Sequence, residues 1–143
     1  MHPKKICDAV ASMGARLFLD GNNLYIENPE KIYPELEDFI KSYKPWIVKY
    51  LKGEYTKHEH AINETVEKII NFYRGIEQPG NSKINDWLNK DYESTKDCMT
   101  LFVLLSENGW TSNEPIASYE SVDTDELTQK LYSKAINFFK KGA

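Results

Sequence analysis

The side chains that could support acid–base, metal or nucleophilic chemistry are few in this sequence. His58-Glu59-His60 is a histidine cluster whose two imidazoles would share one face of a strand but not of a helix. Cys98 lies in an apolar run, where burial raises a thiol pKa, and no histidine is near it in the sequence. The sequence has no zinc-protease, Cys-x-x-Cys or phosphate-loop motif. We therefore predict no catalytic residue, no metal site and no cofactor, and we expect a protein that is not an enzyme.

The cysteine content and the hydropathy pattern indicate the compartment. Cys7 and Cys98 are the two cysteines of the 143 residues, and they are far apart in the sequence. No signal-peptide pattern is present, and no apolar run approaches the roughly 18 residues of a membrane-spanning helix. We therefore expect reduced cysteines, a cytoplasmic location and no membrane association.

Residues 16–27 have the pattern of a β-hairpin. Gly21-Asn22 separates two short runs of aliphatic and aromatic residues, and successive side chains of a strand point to opposite faces. The alternation places one set of aliphatic residues on a common face: Leu17, Leu19, Leu24 and Ile26. Phe18 and Tyr25 fall on the opposite face. Because a two-stranded hairpin is not stable alone, we expect its aliphatic face to pack on helices.

The aromatic face of this hairpin is the best candidate for a binding surface. An aromatic pair beside an open strand edge is typical of recognition by strand addition. The predicted partner-binding residues are therefore Phe18, Tyr25, Arg16 and Asn23. An alternative is that residues 55–143 cover this face, and the sequence does not distinguish the two.

One basic stretch is interleaved with aromatic residues. It contains Lys41, Lys44, Lys49, Lys52 and Lys57, together with Tyr43, Trp46, Tyr50 and Tyr55. Such a stretch could contact phosphates and stack on bases, as in a replication accessory protein. The same aromatics also fit core positions of helices, and the net charge is −4. Direct binding of nucleic acid is therefore the less favoured interpretation.

From Asp97 to Gln129 the chain contains no lysine or arginine. The candidate acidic surface within this stretch consists of Glu114, Glu120, Asp123, Asp125 and Glu126. These carboxylates could simply be solvated. Alternatively, they could mimic phosphate charge against the basic channel of a nucleic-acid enzyme.

Helical periodicity accounts for most of the remaining sequence. We predict helices from Pro3, Pro34 and Pro45, a long helix over residues 62–73 and a short helical segment near residues 84–88. Ser94 and Asp97 resemble a capping box for a helix that ends at Asn108, whose nearly all-apolar surface predicts a central, buried position. The last helix has Asp123 as predicted N-cap, and Lys140 and Lys141 suit its C-terminal end.

The predicted fold is α+β and mostly helical, with a small antiparallel β-hairpin packed among about six helices. Residues 1–54 form an αββαα module in this interpretation, and residues 55–143 form a helical module. A single continuous core that includes both segments is the alternative. Length and hydrophobic content are compatible with either arrangement.

The run GARLFLDGNNLYI, from Gly14 to Ile26, is followed by apolar positions and a Lys44-Pro45 break. With this pattern, residues 3–53 resemble the TubC-type N-terminal docking domain. That family has an αββαα fold at the N-termini of hybrid peptide/polyketide synthase subunits. The resemblance implies a domain, often homodimeric, that captures a C-terminal segment of an upstream subunit along its hairpin.

Two functional hypotheses follow. The first is a non-enzymatic docking or adaptor protein, expected to form a homodimer, that binds a protein partner through the hairpin and is encoded by a phage or mobile element. The second is a small acidic inhibitor of a host nucleic-acid enzyme, an anti-CRISPR-like protein acting as a DNA mimic. The acidic stretch motivates the second hypothesis, and the hairpin motivates the first.

Overall fold

The computed structural model describes residues 1–140. The elements are helix α1 (Pro3–Ser12), strands β1 (Arg16–Asp20) and β2 (Asn23–Glu27), and helices α2 (Pro34–Ser42), α3 (Lys44–Leu51), α4 (Lys57–Tyr73), α5 (Asn81–Lys90), α6 (Tyr92–Glu107) and α7 (Val122–Lys140). The mostly helical α+β class is confirmed, with seven α-helices in the described residues. Lys141, the predicted cation at the end of the last helix, lies outside the described residues.

The chain divides into two compact units. Among the described residues, unit 1 consists of residues 1–60 and 115–118, and unit 2 consists of residues 61–114 and 119–140. The first division between the units falls within the first turns of α4, and the two modules of residues 1–54 and 55–143 stay a prediction. Pro115–Ser118 belongs to unit 1 although it is distant in sequence, and the Ser118 hydroxyl donates to the Ser42 carbonyl oxygen at 3.2 Å.

Unit 1 is built around the antiparallel hairpin. Phe18 pairs with Tyr25 and Leu17 pairs with Ile26, as the alternation predicted. Gly21 has a φ of 65°, a conformation that glycine adopts without steric cost in a two-residue turn. Helices α1 and α3 contact the hairpin, and Leu17 is buried. The core of this unit also includes Ile6, Val10, Leu36, Ile40, Trp46 and Ile47.

In unit 2, helices α5, α6 and α7 pack against one another. The short helical segment predicted near residues 84–88 lies within the ten-residue helix α5, in which Ile84, Trp87 and Leu88 are buried. Fully buried side chains from several helices form the core of the unit: Val66, Ile69, Trp87, Leu101, Leu105 and Leu131.

Helix α6 contacts both α5 and α7, and its apolar residues are divided between a buried face and an exposed face. Cys98, Leu101 and Leu105 are fully buried, but Met99 and Val103 are 43% and 56% exposed. The apolar composition of the run concealed this two-sided arrangement because composition alone does not give orientation. No helix within residues 1–140 combines the length and the apolar character that a membrane crossing requires.

The N-termini of α6 and α7 differ from the predicted caps. Asp91, rather than Ser94, caps α6: its carboxylate accepts from the Ser94 amide at 3.2 Å and from the Ser94 hydroxyl at 2.7 Å. At α7, Ser121 Oγ accepts from the Thr124 amide, and Thr124 Oγ1 accepts from the Ser121 amide. This reciprocal pair satisfies two backbone donors and starts the helix before Asp123. Asp123 instead lies in the first turn, where its charge complements the helix dipole.

Replacing Ile116 by Ala should destabilise unit 1, although residue 116 is far from the rest of that unit in sequence. Ile116 is 2% exposed, and loss of a buried isoleucine typically lowers the free energy of unfolding by about 3 kcal/mol. Hydrogen exchange should show reduced protection of amides in α1–α3. Ser118→Ala, which removes one surface hydrogen bond, is the control. Loss of protection confined to the amides of unit 2 would contradict the assignment of Ile116 to unit 1.

Replacing Asp91 by Ala should lower the free energy of unfolding by about 1 kcal/mol near neutral pH, because the cap of α6 is lost. The Ser94 hydroxyl bond is the main cause that lowers the Asp91 pKa, outweighing the opposing effect of burial. The stabilisation is therefore complete above the unfolded-state pKa of about 4, and it is lost as the pH falls through the lower folded-state pKa.

Urea unfolding of the wild type and of Asp91→Ala between pH 7 and pH 2 measures this dependence. The difference between the two proteins should shrink on acidification. Asp38→Ala is the control, since Asp38 is an exposed aspartate of α2 that lies beyond the first turn of its helix. A difference that grew as the pH fell would show that the carboxylate of Asp91 does not stabilise the folded state.

Candidate protein-binding surface

The outer hairpin face consists of the side chains that point away from the helices: Arg16, Phe18, Asp20, Asn23, Tyr25 and Glu27. Three cross-strand pairs build it, because the register places Arg16 opposite Glu27, Phe18 opposite Tyr25 and Asp20 opposite Asn23. All four residues predicted to bind a partner therefore lie together on this face. The alternation of the strands made this grouping predictable from the sequence.

Contacts between these side chains order the outer hairpin face. The rings of Phe18 and Tyr25 stack with centroids 5.7 Å apart and planes inclined by 26°. The Arg16 guanidinium lies 5.3 Å from the centroid of the Phe18 ring, and its Nε donates to Glu27 Oε2 at 2.9 Å. Exposed ion pairs of this kind contribute at most about 1 kcal/mol, so their main effect here is to hold Arg16 beside the aromatic pair.

The outer hairpin face is accessible around Tyr25. Tyr25 is 45% exposed, Asn23 is exposed and Phe18 is half-buried. Within residues 1–140 the sheet has two strands, so each strand has one edge without a strand neighbour. Lys52 Nζ donates to Asn22 Oδ1 at 2.6 Å, which connects the hairpin turn to the end of α3. The surface thus combines an exposed aromatic ring with strand edges on a supported hairpin.

The predicted histidine cluster is part of a helix and not of a strand. His58, Glu59 and His60 lie in the first turn of α4, where the Thr56 hydroxyl accepts from the Glu59 amide. His60 Nδ1 is 3.1 Å from the Tyr55 hydroxyl, and the His60 ring centroid is 4.5 Å from that of His2. No local sequence signal indicated this histidine pair, since the two residues are far apart. In the described part of the chain, no three histidine, cysteine, aspartate or glutamate side chains converge as a metal site would require.

Both thiols have a raised pKa. Burial, followed by the charge of Asp97, raises the pKa of Cys98 to about 12. Burial also raises the pKa of Cys7, with a further contribution from Asp8. A thiol with such a pKa is protonated at neutral pH and is a poor nucleophile.

Two of the four aromatic residues in the basic stretch are not available for base stacking. Tyr43 and Trp46 are buried, so they serve the core of unit 1. Lys41 Nζ lies 3.6 Å from Glu37 Oε1, and the Lys49 ammonium group forms an ion pair with the Glu59 carboxylate. Tyr43 and Trp46 therefore occupy core positions, which was the alternative interpretation of this stretch.

The candidate acidic surface is divided between a loop and the start of α7. Glu114 accepts from the Tyr119 hydroxyl at 2.7 and 3.0 Å, and this bond raises the Tyr119 pKa. Asp123 and Asp125 lie in the first turn of α7, and Glu126 follows them on the same helix, while Glu120 is half-buried in the loop. Two of the five positions thus complement the helix dipole, and one accepts a local hydrogen bond. The inhibitor hypothesis stays a prediction from the sequence.

The reactivity of Cys98 should be low in the folded protein. With a pKa of about 12, roughly one thiol in ten thousand is ionised at pH 8. In a Cys7→Ser variant, a disulfide reagent such as DTNB should modify Cys98 only after urea is added. Rapid labelling of the native variant would mean that Cys98 is accessible and activated.

Comparisons of this chain with known proteins identified no relative. No family model, no curated protein and no solved structure matches it. The residues and surfaces of the chain itself are therefore the basis for its proposed function.

Proposed function

We propose that this chain is a non-enzymatic protein-binding module that recognises an extended peptide segment of its partner on the outer hairpin face. The observation that carries the proposal is the stacked Phe18–Tyr25 pair, with Tyr25 45% exposed, on a two-stranded sheet. Exposed aromatic residues are frequent anchors of protein interfaces because they bury a large area with few rotatable bonds.

The hairpin also provides the backbone groups that such a partner needs. A peptide strand can pair with the outward-pointing amide and carbonyl groups of an edge strand, while its side chains contact the exposed face. The contacts of Arg16 with Phe18 and Glu27 reduce the conformational entropy that the surface loses on binding. This arrangement supports binding without a large rearrangement of the hairpin.

The resemblance of residues 3–53 to TubC-type docking domains leads to the same proposal. In that family an upstream subunit contributes the captured segment. By analogy, we propose a protein partner that contributes a terminal peptide segment, and a homodimer as the assembly state of this chain. The origin from a phage or mobile element remains part of the same proposal.

Peptide selection tests this function because a random library requires no choice of partner in advance. Peptides enriched from a phage-displayed library on the immobilised full chain should lose at least about tenfold in affinity when Phe18 and Tyr25 are both replaced by Ser. The aromatic anchors are then removed, whereas the aliphatic face toward the helices is unchanged. Binding is measured by fluorescence anisotropy, and light scattering of the same samples reports dimer formation.

Tyr33→Ser is the matched control, because Tyr33 is an equally exposed aromatic residue of unit 1 at 48%. It should leave peptide affinity unchanged. Circular dichroism of the double variant must show the helical content of the wild type. Selected peptides that bind the double variant as tightly as the wild type would contradict the proposed surface.

A further inference from the structure

A second candidate binding site lies within unit 2. A cavity of about 290 Å³ opens to solvent between residues of α4, α5, α7 and the loop that precedes α5. Its lining consists of Lys68, Pro79, Gly80, Lys83, Ile84 and Phe139. This volume is near the lower end of the range for small-molecule sites, and it suits a single ring system rather than a peptide chain.

One wall of the cavity is held in place by an amide network. The Gln78 side-chain amide donates to the Lys68 carbonyl oxygen at 2.7 Å and to Asn81 Oδ1 at 2.9 Å. The Asn81 side-chain amide in turn donates to the Ile76 carbonyl oxygen at 2.9 Å. These bonds fix the loop that contributes Pro79 and Gly80, so the cavity is formed before any ligand enters.

The charge of the lining is one-sided. Two of the lining residues, Lys68 and Lys83, are basic, and none of the described lining residues is acidic. This is unusual in a chain with a net charge of −4. Phe139, Ile84 and Pro79 supply an apolar surface in the same cavity, and the Phe139 ring contacts Trp87 with centroids 6.2 Å apart.

We propose that this cavity binds a small amphipathic anion whose ring packs against Phe139 and Ile84 and whose acidic group lies between Lys68 and Lys83. The apolar wall gains from removal of the ring from water. The two ammonium groups compensate the charge of the acid, and a neutral ring of the same size lacks this contribution. The occupant follows from the charge and size of the cavity, independently of the function proposed for the hairpin.

The probe for this site is naphthalene-2-sulfonate, with naphthalene-2-sulfonamide as its neutral analogue. In an NMR titration of the full chain, saturable shifts from the sulfonate should concentrate on the amides of Gly80, Lys83, Ile84 and Phe139. In Lys68→Gln/Lys83→Gln the affinity for the sulfonate should fall by about tenfold, since two charge contacts are lost. The wild type should bind the sulfonamide more weakly than the sulfonate. The variant should bind the sulfonamide with the same affinity as the wild type.

Lys96→Gln is the matched control, because Lys96 is a lysine of unit 2 that does not line the cavity. It should leave sulfonate binding as in the wild type. Lys68 and Lys83 are both exposed, so their replacement is compatible with folding, which circular dichroism verifies. Equal binding of the sulfonate by wild type and double variant, or shifts centred on other residues, would overturn the proposal.

Discussion

The hydrophobic contact between the inner face of the hairpin and helices α1 and α3 organises unit 1. Two strands cannot form a stable sheet by themselves, because half of their side chains would remain apolar and exposed. Burial of Leu17 against these helices removes that surface from water. Because side chains alternate along a strand, the same burial forces Phe18 and Tyr25 to the opposite side. The exposed aromatic pair is thus a consequence of how the hairpin is stabilised.

Much of this arrangement could be predicted from local sequence. The hairpin and its register follow from the Gly21-Asn22 turn and the alternation around it, since both signals act within a few residues. The grouping of Arg16, Phe18 and Tyr25 on one face follows from the same alternation. The exposure of that face could not be predicted, because it depends on residues distant in sequence.

Other features could not be predicted, either because two nearby residues were both suitable for one role or because the contacting residues are far apart in the sequence. Near the start of α7, Ser121 and Asp123 are both good caps, and the reciprocal bonds of Ser121 with Thr124 decide between them. The exposed face of α6 could not be predicted because apolar composition gives no orientation, as the exposed Val103 shows. The cavity of unit 2 combines Lys68 with Phe139, and no sequence motif connects residues so far apart.

The membership of Pro115–Ser118 in unit 1 has a consequence for the order in which the protein can fold during synthesis. Unit 1 is complete only when residue 118 has left the ribosome, although its first 60 residues emerge much earlier. At typical elongation rates, the intervening stretch of roughly 60 residues takes about 3 to 12 seconds to synthesise. During this interval the nascent chain lacks the buried side chains of Ile116 and Ala117. Unit 1 therefore acquires its full set of buried contacts only after most of unit 2 has been synthesised.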